Sequence, residues 1–375
     1  MSFAEKRWNL HRFMTDRLGW QPPFSRGTNI RKILFLGERD PICHMQSYPF
    51  WHYRKALRER HGVEFREMTL QGFLEGRCRY REVDAVCFQT WFDLTPEAVR
   101  SVATRIRQSF PGARLAYFDW FAPTDLRFAG PLNDLVQLYV KKQVLRNRGD
   151  YGKPTLGDTN LTDYYARRFQ LEGYPETQFV IPDSFWPKLW IGTHFAFSPH
   201  MVPRFLGEFP TRERDIDVHA RIAVKGTPWY TRMRQEALDK ALQLSQRLTV
   251  VCQGRVDRNA YFEELYRSKL CFSPFGYGEV CWRDFEAMFT GSLLLKPDMS
   301  HLDCAPEAFF PRDTYVPLAW DLSDLDEKVD YYLEHESERL AITRRAFVCM
   351  ADYFRQDRFL DKVQPFLQGL DLLGA

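Results

Sequence analysis

The stretch that decides the fold is SPFGYGEVCWRDFEAMFTGSLLLKPD, residues 273–298. It begins with a turn rich in Pro and Gly, continues with helical spacing of apolar residues, and ends in an apolar run after Gly291. Another apolar run, KLCFSPFG, leads into it. A buried strand, a helix and a second buried strand in this order are typical of a parallel α/β unit.

The same alternation extends along the chain in both directions. In the second half, the apolar runs RDIDVHARIAV, RLTVVCQG, KLCFSPFG and GSLLLKPD are separated by helical patterns. In the first half, RKILFLGERD, VEFREMTL, DAVCFQTW and ARLAYFDWF alternate with helical patterns in the same way. The pattern therefore predicts two α/β lobes in tandem, followed by a helical tail from Asp324 onward.

The expected organisation has four parts. They are an N-terminal helix and connector at 1–30, a Rossmann-like domain at 31–208, a second Rossmann-like domain at 209–323, and C-terminal helices at 324–375. In open parallel sheets, ligands bind beyond the carboxyl ends of the strands. Two such lobes that face each other form a cleft, which predicts a small-molecule site between them.

Composition excludes several classes of protein. Lys and Arg number 52 and Asp and Glu 49, and no basic run is long enough to track a nucleic acid. No apolar stretch has the length of a signal peptide core or a membrane span, so a cytoplasmic protein is expected. The eight Cys are scattered without a CxxC pair, which favours free thiols over a zinc site or disulfides.

Common nucleotide and hydrolase motifs are also missing from the sequence. GERDPICH lacks the GxGxxG spacing of a dinucleotide fingerprint, and neither GxxxxGK[ST] nor GxSxG occurs. A Rossmann dehydrogenase, a P-loop NTPase and an α/β-hydrolase are therefore disfavoured.

The candidate chemistry lies in the helix of the opening stretch. Arg283 and Glu286 are three residues apart and share one helix face. The start of a helix that follows a strand attracts phosphate, Arg can fork onto phosphate oxygens, and a carboxylate can accept hydrogen bonds from sugar hydroxyls. Gly276 and Gly278 allow close approach of a ligand, whereas Glu279 places a negative charge at the same turn. The alternative is a solvated Arg–Glu pair that contributes about 0.3 kcal/mol.

The segment YGEVCWRDFEAMFTGSLLLKPD resembles the donor-binding segment of GT-B glycosyltransferases, most closely the exostosin-like and group 1-type enzymes. The resemblance covers residues 214–300, and the N-terminal lobe matches in layout only. It implies that Arg283 lies near the diphosphate of a nucleotide-sugar and that Glu286 holds the ribose or the donor sugar. It also implies a GT-B fold of two tandem Rossmann-like domains facing across a cleft, in which the first binds the acceptor, the second binds the donor, and a C-terminal helical tail packs back across the junction.

Further donor-binding candidates flank this helix. Gly276, Gly278 and Glu279 precede it in the chain. Lys225, in the loop after the strand RDIDVHARIAV, can assist at the diphosphate. Arg221 in that loop and Arg255 after the strand RLTVVCQG are weaker candidates for the same role, and a solvated turn is the alternative for each.

One residue differs from the pattern of the family that the chain resembles, and this difference bears on the mechanism and on the need for a catalytic base. Many retaining GT-B enzymes have a second Glu eight positions before the first, where this chain has Gly278, so an inverting reaction is favoured. An inverting transfer needs a base to take the proton of the attacking hydroxyl. Asp119, after an apolar strand where desolvation can raise its pKa, and Asp40, in the first strand–helix loop, are the candidates. The strand-end residues Glu38, His44 and Asp125 are weaker alternatives, and each of these residues can equally be a turn or cap residue.

A metal is not expected. Asp215 and Asp217 form a DxD tripeptide, which in GT-A glycosyltransferases binds a divalent ion, but here it begins an alternating strand. The GT-B layout that the chain resembles needs no metal and no cofactor other than the nucleotide-sugar co-substrate.

The sequence thus predicts a metal-independent glycosyltransferase with a nucleotide-sugar donor and a saccharide or glycoconjugate acceptor, in surface polysaccharide or glycoconjugate assembly by family resemblance. A non-catalytic nucleotide- or sugar-binding protein of the same fold is the alternative. A nucleic-acid-modifying glycosyltransferase is a third reading, which the balanced charge disfavours. No nucleic-acid partner is expected, and peripheral association with a membrane stays open.

Overall fold

Two parallel β-sheets organise the chain in the computed structural model, which describes residues 2–27 and 30–373. The first half contributes the strands β1 Arg31–Gly37, β2 Val63–Thr69, β3 Ala85–Phe88, β4 Arg114–Asp119, β5 Leu138–Lys141, β6 Gln143–Leu145, β7 Thr155–Leu156, β8 Glu176–Thr177 and β9 Leu189–Ile191. The first sheet has six parallel strands in the order β2-β1-β3-β4-β5-β9.

Helices cover both faces of this sheet, because its strands are apolar on both sides. The helices of the first half are α1 Phe3–Arg12, α2 His44–His52, α3 Arg54–His61, α4 Leu70–Leu74, α5 Pro96–Ser109, α6 Ala129–Leu132, α7 Asn160–Arg168 and α8 Val202–Phe205. A π-helical turn at Phe13–Arg17 extends α1, and 3₁₀ turns lie at Arg148–Gly152 and Asp183–Lys188. Thr95 caps α5 through its side chain, and Pro96 occupies the first turn of that helix.

The second half repeats the architecture. Its strands are β10 Ile216–His219, β11 Val250–Val251, β12 Ser268–Phe272, β13 Leu293–Pro297, β14 Leu302–Cys304 and β15 Val316–Leu318. The second sheet has five parallel strands in the order β11-β10-β12-β13-β15. The helices are α9 Pro228–Leu244, α10 Arg258–Tyr266, α11 Trp282–Thr290, α12 Leu325–Glu334, α13 Glu336–Arg355, α14 Arg358–Lys362 and α15 Gln364–Gly369.

Several contacts hold the two halves together. Strand β6 of the first half pairs antiparallel with β14 of the second. At the end of the tail, Phe359 of α14 packs edge-on against Phe50 at 5.4 Å, and Phe366 of α15 packs against Phe118 of β4 at 5.7 Å. Helix α13 packs beside α11, so the helical tail runs from the second sheet back onto the first.

The expected fold class is therefore confirmed: two tandem Rossmann-like units with a helical C-terminal end. The residue bounds of the four parts stay a prediction, and the bounds at residues 1 and 375 lie outside the described residues. Among the described helices, none combines the length and apolarity that crossing a membrane requires.

Candidate functional site

A cavity of about 670 Å³ separates the two lobes beside the N-terminal helix. We call it the inter-lobe crevice; its lining includes Trp8, Arg39, His44, His200, Arg258 and Trp282. Arg39 and His44 follow β1, while Arg258 and Trp282 are the first residues of α10 and α11. The crevice thus lies at the carboxyl edges of both sheets, where open α/β sheets bind ligands.

The start of α11 is fixed by a buried ion pair. Asp284, the third residue of α11, accepts a 2.8 Å hydrogen bond from the amide of the N-cap residue Cys281, as in a capping box. Its Oδ1 lies 3.0 Å from Nζ of Lys296 on β13 and accepts a 2.7 Å bond from the Ser273 hydroxyl. Burial raises the pKa of Asp284, and the Lys296 ammonium opposes that rise. The pair therefore locks the helix onto the strands that flank it.

Arg283 points from α11 to the carboxyl end of β10. Its guanidinium donates to the backbone carbonyl of Arg221, which lies two residues after that strand. Its Nε is buried and makes no hydrogen bond to any described residue. A partly buried guanidinium whose buried Nε is unused can bind an acceptor group of a ligand.

Glu286 is held by a residue of the neighbouring helix. Tyr261 of α10 donates a 2.8 Å hydrogen bond to Oε2 of Glu286, and the tyrosine hydroxyl also interacts with Arg283. Burial raises the pKa of Glu286, while the bond from Tyr261 and the charge of Arg283 oppose the rise. The cation and the carboxylate of α11 are thus organised around one hydroxyl, and no ion pair within 4.0 Å joins them directly.

A histidine completes this cluster. His219, the last residue of β10, is fully buried and packs edge-on against Tyr261 at 5.1 Å. Its Nε2 lies 3.5 Å from Oε2 of Glu264, and neither ring nitrogen makes a hydrogen bond within the described chain. Burial, together with the charges of Arg283 and Arg221, lowers the pKa of His219 to about 3, so the imidazole is neutral at pH 7.

We call His219, Tyr261, Arg283 and Glu286 the β10-edge cluster. Arg283 and Glu286 are predicted from the sequence, whereas His219 and Tyr261 are not. The position of His219 could have indicated a site residue, because it ends an apolar strand at the sheet edge where ligands bind. Neither Arg283 nor Glu286 lines the inter-lobe crevice directly. They lie next to residues that do, because Trp282 precedes Arg283 and the charge of Arg258 acts on Glu286.

The other predicted basic residues differ in their surroundings. Arg221 makes two 2.6 Å bonds to the carboxylate of Glu264, so its guanidinium is engaged within the lobe. Lys225 and Arg255 are exposed, and no ion pair or hydrogen bond to the described chain engages their side chains. They lie in the loops after β10 and β11, and these neighbouring strands end at the same edge. Their roles in donor binding stay predictions.

The loop before α11 joins the two lobes. A Cβ added to Gly278 would lie 1.9 Å from the carbonyl oxygen of Ala122, so the backbones touch there. Glu279 is fully buried and accepts hydrogen bonds from Gln143 at 2.6 Å and Asn160 at 2.9 Å, both in the first half. Gly276 lies in the same loop, and its amide donates to the Gly278 carbonyl at 3.0 Å. The geometry gives the loop a role in lobe contact, and its contribution to donor binding stays a prediction.

The candidate base Asp119 is enclosed by partners. It is fully buried, its Oδ2 lies 2.8 Å from Nζ of Lys141 and accepts a 2.6 Å bond from Tyr139, and its Oδ1 accepts from the Phe121 amide at 3.0 Å. Burial raises its pKa, as expected from the sequence, and Lys141 opposes the rise. These partners favour a structural role for Asp119.

The loop after β1 carries the other candidate base. Asp40 is partly exposed, and its Oδ1 accepts a 2.7 Å bond from the Ile42 amide. Its neighbours Arg39 and Pro41 line the inter-lobe crevice. His44 also lines it, with Nε2 buried, 3.9 Å from Oδ2 of Asp16 and outside any hydrogen bond to the described residues. Burial lowers the pKa of His44 to about 3.

The DxD tripeptide lies at the opposite end of β10. Asp215 pairs with Arg267, and Asp217 accepts from Lys269 at 2.7 Å and from the Thr249 amide at 3.0 Å. Both carboxylates are therefore neutralised by neighbouring strand and helix residues. Across residues 2–27 and 30–373, no group of three or more His, Cys, Asp or Glu is placed to hold a metal ion.

The second half of the chain is similar to a known protein family: residues 204–362 match the family model described as glycosyl transferase-like. No curated protein sequence matches the chain. The solved structures that it resembles include a glycosyltransferase from Rickettsia africae, with 10% identity, 90% of this chain and 99% of that chain covered, and a TM-score of 0.48.

The solved structures of two synthases resemble this chain about as much as the Rickettsia africae structure does. Sucrose-phosphate synthase from Thermosynechococcus elongatus has 12% identity, coverage of 91% of this chain and 99% of that chain, and a TM-score of 0.47. A UDP-forming α,α-trehalose-phosphate synthase from Burkholderia xenovorans has 11% identity, coverage of 92% and 100%, and a TM-score of 0.45. Residues 204–362 thus have the sequence pattern of the glycosyl transferase-like family, and the chain as a whole folds as two tandem Rossmann-like units with parallel sheets.

Proposed function

We propose that the protein transfers a sugar from a nucleotide-sugar to a hydroxyl of a saccharide or glycoconjugate acceptor. One observation carries the proposal: the β10-edge cluster places a partly buried cation and a partly buried carboxylate on one helix face, and Nε of Arg283 and both ring nitrogens of His219 lack hydrogen-bond partners in the described chain. Buried polar atoms are normally hydrogen-bonded, so a ligand with acceptor oxygens fits this cluster.

The roles follow from charge and position. Arg283 binds the diphosphate, because a guanidinium can make two parallel bonds to phosphate oxygens. Glu286 accepts hydrogen bonds from the hydroxyls of the ribose or the donor sugar. Tyr261 keeps the Glu286 carboxylate in place through its 2.8 Å bond. Lys225, with Arg255 and Arg221 as weaker assistants, adds positive charge at the neighbouring strand ends.

In the transfer, the acceptor oxygen forms a bond to the anomeric carbon of the donor sugar while the bond from that carbon to the diphosphate oxygen breaks. The leaving nucleoside diphosphate takes the electron pair, and a base takes the acceptor proton. We propose Asp40 as this base, because its loop lines the inter-lobe crevice, and a single displacement of this kind inverts the anomeric centre. The same proposal includes a reaction that needs no metal ion, a cytoplasmic location and a role in surface polysaccharide assembly. The identities of the donor sugar and of the acceptor also belong to it.

Ligand screening followed by turnover tests the proposal. A panel of UDP-, GDP-, ADP- and dTDP-sugars is screened by thermal shift, where a ligand at a hundred times its dissociation constant adds about 2.7 kcal/mol. Transfer to saccharide acceptors is then measured for wild type, Asp40→Asn and the control Asp239→Asn on the solvent side of α9. Loss of transfer in Asp40→Asn with donor binding retained supports the assignment. Equal transfer by Asp40→Asn and wild type rejects Asp40 as the base, and donor binding without transfer to any acceptor favours a non-catalytic binding protein.

A further inference from the structure

The N-terminal segment leaves an apolar and basic surface uncovered. The exposed large apolar side chains of residues 3–20 are Phe3, Leu10, Phe13, Leu18 and Trp20, with exposed fractions from 45% to 76%. The exposed cations of the same segment are Lys6, Arg7 and Arg17. We call this set the basic apolar face.

Helical geometry places these side chains together. Phe3, Arg7 and Leu10 are spaced by four and three residues and so lie on one side of α1. The opposite side is anchored to the protein: Trp8 is buried and packs edge-on at 5.1 Å against both Tyr48 and Trp51. The segment is therefore a fixed element whose apolar and basic side is exposed, and Phe13 and Arg17 at its end also border the inter-lobe crevice.

A cavity of about 530 Å³ adjoins this face. Its apolar lining includes Leu10, Met14, Trp20 and Trp51. The guanidinium carbons of Arg54 and Arg7 lie 4.4 Å and 6.0 Å from the centre of the Trp51 ring. Both cations therefore border one apolar hollow, a combination that suits the junction between a phosphate headgroup and an acyl chain.

The charges around this hollow leave two cations unneutralised. Within the described chain, neither Arg7 nor Arg54 has a carboxylate within 4.0 Å; Arg54 donates to the Trp51 carbonyl at 2.6 Å. Glu67 also lines the cavity, but it accepts from His11 at 2.6 Å and from Arg12 at 3.2 Å. The third cation of the lining, Arg66, donates to backbone carbonyls and to Glu64.

We propose that the basic apolar face docks on the surface of an anionic lipid bilayer, with its apolar side chains at the acyl boundary and Arg7 and Arg54 on lipid phosphate. Interfacial helices place Phe, Leu or Trp at the acyl boundary while neighbouring Lys and Arg side chains reach the headgroups, and the binding strengthens with anionic lipid. Asp16, the carboxylate that precedes Arg17 in the same segment, is held by Arg12 at 2.6 Å, so the face presents positive charge. The inference does not depend on the proposed reaction.

Vesicle sedimentation tests this inference with the full-length chain. Wild type is mixed with vesicles of phosphatidylcholine alone and with vesicles that also contain phosphatidylglycerol. The apolar variant is Leu10→Ser with Leu18→Ser, two exposed positions outside the inter-lobe crevice. The charge variant is Arg7→Gln with Arg54→Gln. Matched controls are Val180→Ser, where the side chain is 79% exposed, and Arg167→Gln, where it is 56% exposed, both away from this face.

We expect binding to the phosphatidylglycerol vesicles that weakens with added salt. The charge variant should partition on the order of 25-fold more weakly, since each cation near an anionic surface contributes about fivefold. The apolar variant should also lose binding, and both controls should match wild type. Binding that is equal on neutral vesicles, or unchanged in both variants, overturns the proposal. The proposal is also overturned if the protein does not bind vesicles but instead self-associates or binds an acidic protein, and both variants abolish that association. The face is then a protein interface.

Discussion

Tyr261 and Glu286 are joined by a 2.8 Å hydrogen bond that links α10 to α11 at the carboxyl edge of the second sheet. The tyrosine hydroxyl donates a hydrogen bond to this carboxylate, which is partly buried and is also acted on by the charge of Arg283. Three side chains from two helices therefore form one polar unit, and the position of the carboxylate depends on a residue 25 positions away in sequence.

Replacing Tyr261 by Phe should weaken donor binding without unfolding the protein. The change removes one hydrogen bond to a charged group, which typically contributes about 1.5–3 kcal/mol. The expected loss of nucleotide-sugar affinity is on the order of 10- to 100-fold, measured by calorimetric titration. Tyr266→Phe, at the end of the same helix, is the control and should bind as wild type does; equal binding by the two variants would show that Tyr261 does not support the site.

Replacing Asp119 by Ala should destabilise the fold. Lys141 would remain fully buried without its partner, and breaking a buried pair in this way costs about 3–5 kcal/mol. Chemical denaturation measures the change in the free energy of unfolding. If Asp119→Ala is as stable as wild type but has lost transfer activity, Asp119 is the base and the structural assignment is wrong.

Gly278→Ala should disturb the contact between the lobes. The added methyl group would meet the Ala122 carbonyl, and such overpacking costs about 1–3 kcal/mol. Gly276→Ala is the matched control, because its nearest neighbour would be the Cys281 sulfur at 3.3 Å. Thermal unfolding should show a clearly lower midpoint for Gly278→Ala than for Gly276→Ala, and equal midpoints would contradict the close contact of the two backbones.

The buried His194 should make the protein less stable as the pH falls. Burial lowers its pKa in the folded protein from 6.5 to about 4. Below the unfolded pKa of 6.5, the unfolded chain binds a proton that the folded protein does not bind, so stability present above that pH is lost as the pH falls toward 4. At pH 5 the loss is about 2 kcal/mol for this one group.

His194→Gln isolates this effect from the buried carboxyls. The raised pKa values of Asp284 and Glu286 act in the opposite direction, because their contribution to stability is lost as the pH rises. The difference in unfolding free energy between wild type and the variant should therefore shrink as the pH is lowered from 7.5 to 5 in urea titrations. A difference that does not change with pH would mean that the ring titrates normally in the fold.

The sequence predicted the fold well because strand and helix patterns are local. The apolar runs around Leu34, Val86, Val218 and Leu294 all became strands of two parallel sheets. The helix of Arg283 and Glu286 was predicted at the sheet edge for the same reason.

The partners of these residues could not be predicted, because they depend on strand register and helix packing. Lys141 lies beside Asp119 because the two are paired residues on the neighbouring strands β4 and β5. Tyr261 reaches Glu286 through the packing of two helices. Such contacts between distant parts of the chain have no signature in one sequence, so neither the partners of Asp119 nor the part played by His219 and Tyr261 could be predicted.

Calorimetric titration of a nucleotide-sugar into wild type, Glu286→Ala and Glu263→Ala tests the central claim most directly. Glu263 lies on the exposed side of α10 and serves as the matched control. Glu263→Ala should bind the donor as wild type does, and Glu286→Ala should bind it at least tenfold more weakly. Binding of equal strength in all three proteins would contradict the claim.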